Sequence, residues 1–139
     1  MGGQIISYGS GGRPEFYEPA NTSGVALSAG QPIARDGAGS GVVRAQGTAI
    51  ALACVGFPEA AIGIGGSGIV RTDGDLTLAD WTAATGAAAL TPGAIYYLSA
   101  TVAQITTVPL STPGQVHQEV GRAATTTKLT IELSEPVLL

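Results

Sequence analysis

Charge is the scarcest property of this sequence. Only 12% of its 139 residues are Asp, Glu, Lys or Arg, about half the usual globular share. The hydrophobic fraction is an ordinary 45%, so the composition is that of a chain that folds and not of a disordered one. The length suits one domain with a real core. The six basic residues are Arg13, Arg35, Arg44, Arg71, Arg122 and Lys128, spread singly along a chain of net charge −4. Displacing counterions from nucleic acid takes a clustered basic stripe. None is present, which excludes that partner. No apolar run reaches the roughly 18 residues of a membrane span, and the opening Met1-Gly2-Gly3-Gln4-Ile5-Ile6-Ser7 has neither a basic nor an apolar leader region. Ile6 also breaks the myristoylation pattern. Two explanations fit so little charge. Much of the surface is covered in the working state, by further copies or a larger assembly, or Ser, Thr and Gln take the place of charges on an open surface.

Cysteine and histidine are equally scarce. Cys54 is the one cysteine, so there is no internal disulfide and no metal knuckle. It stands in the apolar run Ala49-Ile50-Ala51-Leu52-Ala53-Cys54-Val55 and reads as a small buried hydrophobe. His117 is the one histidine. Its neighbours Gln115, Val116, Gln118 and Glu119 suggest a strand with polar residues outward, hence a surface histidine. One histidine cannot build the common metal sites, and Ser10, Ser40 and Ser67 each lack a glycine of the Gly-x-Ser-x-Gly elbow. Asp73, Asp75 and Asp80 are the only clustered carboxylates that suggest hydrolysis. Thr72-Asp73-Gly74-Asp75 reads more simply as a hairpin turn, and a calcium loop would need a distant Glu that is absent. Gly63-Ile64-Gly65-Gly66-Ser67-Gly68 fits Gly-x-Gly-x-x-Gly in form, but Ile69-Val70-Arg71-Thr72 reads as a strand where a phosphate-binding helix would have to start. No catalytic residue, cofactor site or metal site is expected.

What the chain does have is short apolar runs punctuated by Gly, Pro, Asp and Ser. Candidate strands are Gln31–Arg35, Gly41–Gln46, Ile50–Phe57, Gly68–Thr72, Ile95–Ser99, Gln104–Val108, Val116–Ala123 and Lys128–Leu133. Turn signals every 8–12 residues point to an all-β sandwich or barrel of about eight short strands. One short helix is expected within Thr77–Ala84, ending at Gly86, with Trp81 as a plug in the core. Val25-Ala26-Leu27-Ser28-Ala29-Gly30-Gln31-Pro32-Ile33 matches Ala88-Ala89-Leu90-Thr91-Pro92-Gly93-Ala94-Ile95-Tyr96. Later, Cys54-Val55-Gly56-Phe57 matches Glu119-Val120-Gly121-Arg122. This suggests two pseudo-repeats, about 25–78 and 88–139, within a single β domain of residues 25–139. Residues 1–24 differ, with Gly9-Ser10-Gly11-Gly12, Pro14 and Pro19 breaking regular structure. They read as an extended N-terminal arm that docks through Phe16 and Tyr17, either on a partner or on its own domain. Asn21-Thr22-Ser23 reads as a turn.

Leu90-Thr91-Pro92-Gly93-Ala94-Ile95-Tyr96-Tyr97-Leu98-Ser99, followed by Gln104-Ile105-Thr106-Thr107, Val120-Gly121-Arg122-Ala123 and Leu129-Thr130-Ile131, resembles β-repeat segments of tailed-bacteriophage virion proteins. The earlier half, with Ala29-Gly30-Gln31-Pro32-Ile33, Val55-Gly56-Phe57 and Gly66-Ser67-Gly68-Ile69-Val70, is similar to small capsid decoration (cement) proteins. The resemblance covers about residues 25–139. It implies a structural virion protein, made in the host cytoplasm, that sits on the capsid surface, binds the major capsid protein and stabilises the shell. It implies a homo-oligomer, often a trimer, with an arm reaching onto the shell, and Arg13, Phe16 and Tyr17 are then the candidate interface residues. The alternative is a tail-fibre or head-fibre domain binding a host receptor or glycan through an aromatic platform, with Trp81, Tyr96 and Tyr97 as candidates.

Overall fold

Short alternating runs can bury one side chain in two, and in this chain they do so in pieces of two to five residues. A computed structural model describes the backbone of Ser7–Tyr8 and Pro14–Tyr17, and residues 18–37 and 41–139 in full. The first strands are β1 (Ser7–Tyr8), β2 (Pro14–Tyr17), β3 (Ala20–Asn21), β4 (Ile33–Arg35), β5 (Gly41–Arg44), β6 (Phe57–Pro58) and β7 (Val70–Arg71). The later ones are β8 (Gly74–Thr77), β9 (Ile95–Leu98), β10 (Ile105–Thr106), β11 (Val116–His117), β12 (Glu119–Ala123), β13 (Lys128–Ile131) and β14 (Val137–Leu138). The protein is all-β, and among the described residues no sheet closes into a barrel. No helix among the described residues is long and apolar enough to cross a membrane.

Two sheets are built on one plan. In the second half the order is β10-β9-β12-β13-β8. In the first half β5 pairs β4, an isolated bridge joins Ile33 to Gly56 at the start of β6, and β6, β7 and β2 follow. The registers correspond residue by residue. Phe57 and Phe16 flank Arg71, as Arg122 and Asp75 flank Thr130. Gly30 and Gly93, at φ +80 and +81, make the turns that feed β4 and β9, a conformation glycine adopts without strain. Their amides donate to Pro58 O at 2.9 Å and to Ala123 O at 2.7 Å, again equivalent places. A Cβ on Gly56 would lie 2.7 Å from Arg71 O, and one on Gly121 would lie 2.5 Å from Thr130 O, so both glycines allow close backbone approach. The correspondence spans residues 14–71 and 74–131. It therefore includes β2, within the segment read as an arm, as the counterpart of β8.

Two apolar clusters follow from this plan. Leu27, Ile33, Val42, Ile62 and Val70 form one under the first sheet. The larger joins both halves, with Ala34, Ala45, Cys54 and Phe57 packed among Leu76, Trp81, Leu90, Tyr96, Leu98, Ile105, Val120, Leu129 and Ile131. Ile33 and Ala34 are neighbours in β4 but belong to different clusters, so this strand is buried on both faces. Trp81 is fully buried and its Nε1 donates to Thr127 O at 2.9 Å, which makes it the expected core plug.

Several local expectations change in the folded chain. Ile50–Phe57 is not a strand. Residues Ile50–Leu52 form a 3-10 turn and only Phe57–Pro58 joins a ladder, since an unbroken apolar run carries no period to choose between strand and helix. Thr77 ends β8, so the helix shrinks to α1 (Thr82–Thr85), with Gly86 at φ +81 behind it. Asp73-Gly74 makes no hairpin. β7 pairs with β2 and β6, whereas β8 pairs with β13, and this turn carries the chain from one sheet to the other.

Candidate partner interface

The residues singled out for chemistry do not come together. His117 is half-buried, its ring 5.4 Å from that of Tyr97 and tilted by 47°. Asp80 accepts from the Thr82 amide at 2.9 Å and the Thr82 hydroxyl at 2.5 Å, and these bonds hold its carboxyl below the usual carboxylate range. Asp75 accepts from the Thr130 hydroxyl at 2.7 Å on the surface of β8. Cys54 is buried, and desolvation pushes its thiol up to about 12, against smaller opposing contributions from the backbone at Gly56 and Ile33. It fills space as an unreactive thiol. Among the described residues no group of three His, Cys, Asp or Glu stands close enough to hold a metal ion. Residues 63–68 form a turn, with the Gly66 amide donating to Gly63 O at 3.0 Å, and β7 follows where a helix would be needed.

Two buried amides carry structural weight that the sequence reading missed. Gln118, expected to face outward, is buried. Its Oε1 accepts from the Cys54 amide at 2.8 Å, and its Nε2 donates to Cys54 O at 2.9 Å and to Ser134 O at 3.2 Å. The side chain thus acts as a strand rung between halves of the molecule. The signal was in the alternation itself, because Val116, Gln118 and Val120 share one face at period two. Asn21 is also buried, with Nδ2 donating to the carbonyls of Val25, Ile62 and Gly63. Its Oδ1 accepts from the amide and hydroxyl of Ser23, the expected turn. A glycan has no access to this nitrogen.

For the candidate interface itself, Arg13 lies outside the described residues. Phe16 and Tyr17 stand in β2, opposite Arg71 and Val70. The backbone of residues 14–17 is therefore a rung of the first sheet, and Ala20–Asn21 adds a parallel edge to β5. Of the aromatic candidates, Trp81 and Tyr96 are buried, and the Tyr96 hydroxyl accepts from the Thr91 amide at 2.9 Å. They form no exposed platform, because the core needs their apolar area. Tyr97 is half-buried against His117.

The exposed apolar groups lie elsewhere. Ile64 is 69% exposed, Val108 68%, Leu138 57% and Val137 53%. Val137 and Leu138 are consecutive in β14, where side chains alternate between faces, so neither face of β14 is covered. An open depression of about 220 Å³ is lined by Glu119, Gly121, Arg122, Glu132, Leu133 and Ser134. Arg122 in it is held by its own bond to Gly93 O at 2.9 Å. A second, of about 240 Å³, lies beside Tyr96 and is lined largely by Thr and Ala. In the first the Ser134 hydroxyl accepts from the Glu119 amide at 2.9 Å, and the second has no charged side chain in its lining. Comparison with protein-family models, with curated protein sequences and with solved structures returns no match.

Proposed function

We propose that this chain is a structural virion protein that binds the outside of a phage capsid and stabilises its shell. The observation that carries this reading is the exposed aliphatic set Ile64, Val108, Val137 and Leu138 on a body with little charge. Each of these side chains gains free energy when another protein covers it. The partner in this reading is the major capsid protein, and the work is done by area and not by a reactive group. Binding the mature lattice better than its alternatives stabilises the shell by mass action. Since Ser7–Tyr8, Phe16–Tyr17 and Ala20–Asn21 pair with the chain's own strands, the contacts onto the shell in this reading are made by the N-terminal residues around those rungs, including Arg13, with Phe16 and Tyr17 at their base. The receptor-binding alternative loses two of its three aromatic candidates to the core, so it ranks below.

The test is co-sedimentation of the purified protein with particles that lack it. Binding is expected to saturate at a copy number comparable to the shell subunit and to raise the temperature at which particles open. A chain without residues 2–12, or one carrying Val137→Asp and Leu138→Asp, is expected to stay folded and to bind at least tenfold more weakly. Failure of the intact protein to saturate particles would sink the reading.

A further inference from the structure

We propose that the outer edge of β8 is a strand-acceptor site, and that its occupant is the segment around Ser7–Tyr8 of a second copy of this chain. The inference stands on strand geometry and is independent of the capsid reading.

The first half shows what such an edge accepts. β2 and β8 occupy the same place in the two sheets, Phe16 opposite Arg71 as Asp75 is opposite Thr130. The outer edge of β2 takes β1 antiparallel, with Ser7 opposite Phe16. The outer edge of β8 takes no strand among the described residues. The Leu78 amide donates to Thr127 O at 2.9 Å. In the antiparallel register of β8 and β13, the backbone groups of Leu76 then also face β13, and those of Asp75 and Thr77 face outward. Both residues are exposed. A row of free amides and carbonyls is a template for an added strand.

The second half cannot supply that strand itself. Its counterpart of β1 would have to come from the residues just before β8, and those are β7, already built into the first sheet between β2 and β6. Only Thr72 and Asp73 separate the two strands. An occupant of this place then comes from another chain. The segment already shown to fit an equivalent edge is the N-terminal one, and Gln4-Ile5-Ile6-Ser7-Tyr8 is rich in residues that favour strands. Residues 1–12 contain no Asp, Glu, Lys or Arg, so no like charge meets Asp75. Transferring the register of β1 and β2 puts Ser7 opposite Asp75. The contact is head-to-tail, β1 of one copy on β8 of the next, and such contacts close into rings when the rotation allows. β1 serves one edge at a time, so self-pairing on β2 and exchange onto a neighbour compete, and concentration decides between them.

The test is light scattering across a concentration series, with cross-linking. The full chain is expected to grow from monomer to a closed oligomer as concentration rises. Thr77→Pro removes an outward amide and is tolerated where a strand's amide faces solvent. It is expected to keep the melting temperature and to remain monomeric throughout. Oxidising Ser7→Cys/Asp75→Cys is expected to give chains linked to one another, whereas Ser7→Cys/Phe16→Cys gives an internal bond. A full chain that stays monomeric at every concentration overturns the proposal. So does an oligomer unaffected by a folded Thr77→Pro, and so does a Ser7→Cys/Asp75→Cys protein that never links between chains.

Discussion

Gln118 shows how much one side chain can decide. Its amide satisfies both backbone groups of Cys54, 64 positions away in sequence, in a place where water cannot replace it. A buried polar group left without a partner costs about 1–3 kcal/mol. Gln118→Ala should therefore lower the urea unfolding free energy by a few kcal/mol. Gln118→Glu should be no better, since a carboxylate still accepts from the Cys54 amide but cannot donate to Cys54 O. A Glu variant as stable as the native chain would mean that the carbonyl is satisfied in another way. Asn21 plays the same part under the first sheet. For Gln118 the sequence reading stopped at the polarity of the side chain. Residue type indicates solvent, but the period-two position indicates the core, and position wins when backbone groups wait there to be paired.

At the scale of elements, the two glycine turns organise the sheets. Gly30 holds φ +80, and a Cβ there would lie 2.6 Å from Leu78 Cδ1 and 3.0 Å from Trp81 Cζ3. The left-handed conformation costs a residue with a Cβ about 1–2 kcal/mol, and overpacking adds about 1–3 kcal/mol. Gly30→Ala should thus lower the melting temperature by many degrees. Gly63→Ala, where a Cβ would meet nothing within 4 Å, should change it little. Equal melting temperatures for the two variants in calorimetry would contradict the packing described for Trp81. Legibility at this scale was uneven. Strands with clear alternation, such as Lys128–Ile131, stand where expected. The strands missed altogether, Ser7–Tyr8, Pro14–Tyr17, Ala20–Asn21, Gly74–Thr77 and Val137–Leu138, begin at or near Pro or Gly or lack an alternating pattern. They are strands because a neighbour offers them a ladder, which local propensity does not register.

The whole molecule is held by a core that ignores the boundary between its halves. Ala34, Ala45, Cys54 and Phe57 of the first half pack in one cluster with Trp81, Leu98 and Leu129 of the second. Neither half buries its apolar face alone. Chemical unfolding should accordingly be a single transition, with Trp81 fluorescence and far-UV circular dichroism superimposing. Residues 74–131 made alone should not fold. Two separated transitions would show that the halves are independent domains.

The amino-acid order by itself determined the features that depend on neighbours in the chain. These are strands of period two, the matched segments that carry Gly30 and Gly93, an apolar cysteine, and the scarcity of groups that could do acid-base chemistry. The tertiary structure alone decided which strand meets which. Asp73-Gly74 has the local chemistry of a hairpin, yet it connects two sheets. The segment read as an arm docking on a partner or on its own domain supplies a strand to the body, and an exposed edge on β8 is left over. The reason is physical: the groups that pair strands are backbone amides and carbonyls, the same in almost every residue. Their partners are therefore selected by where the side chains of the entire core can pack, and only the folded chain contains that choice.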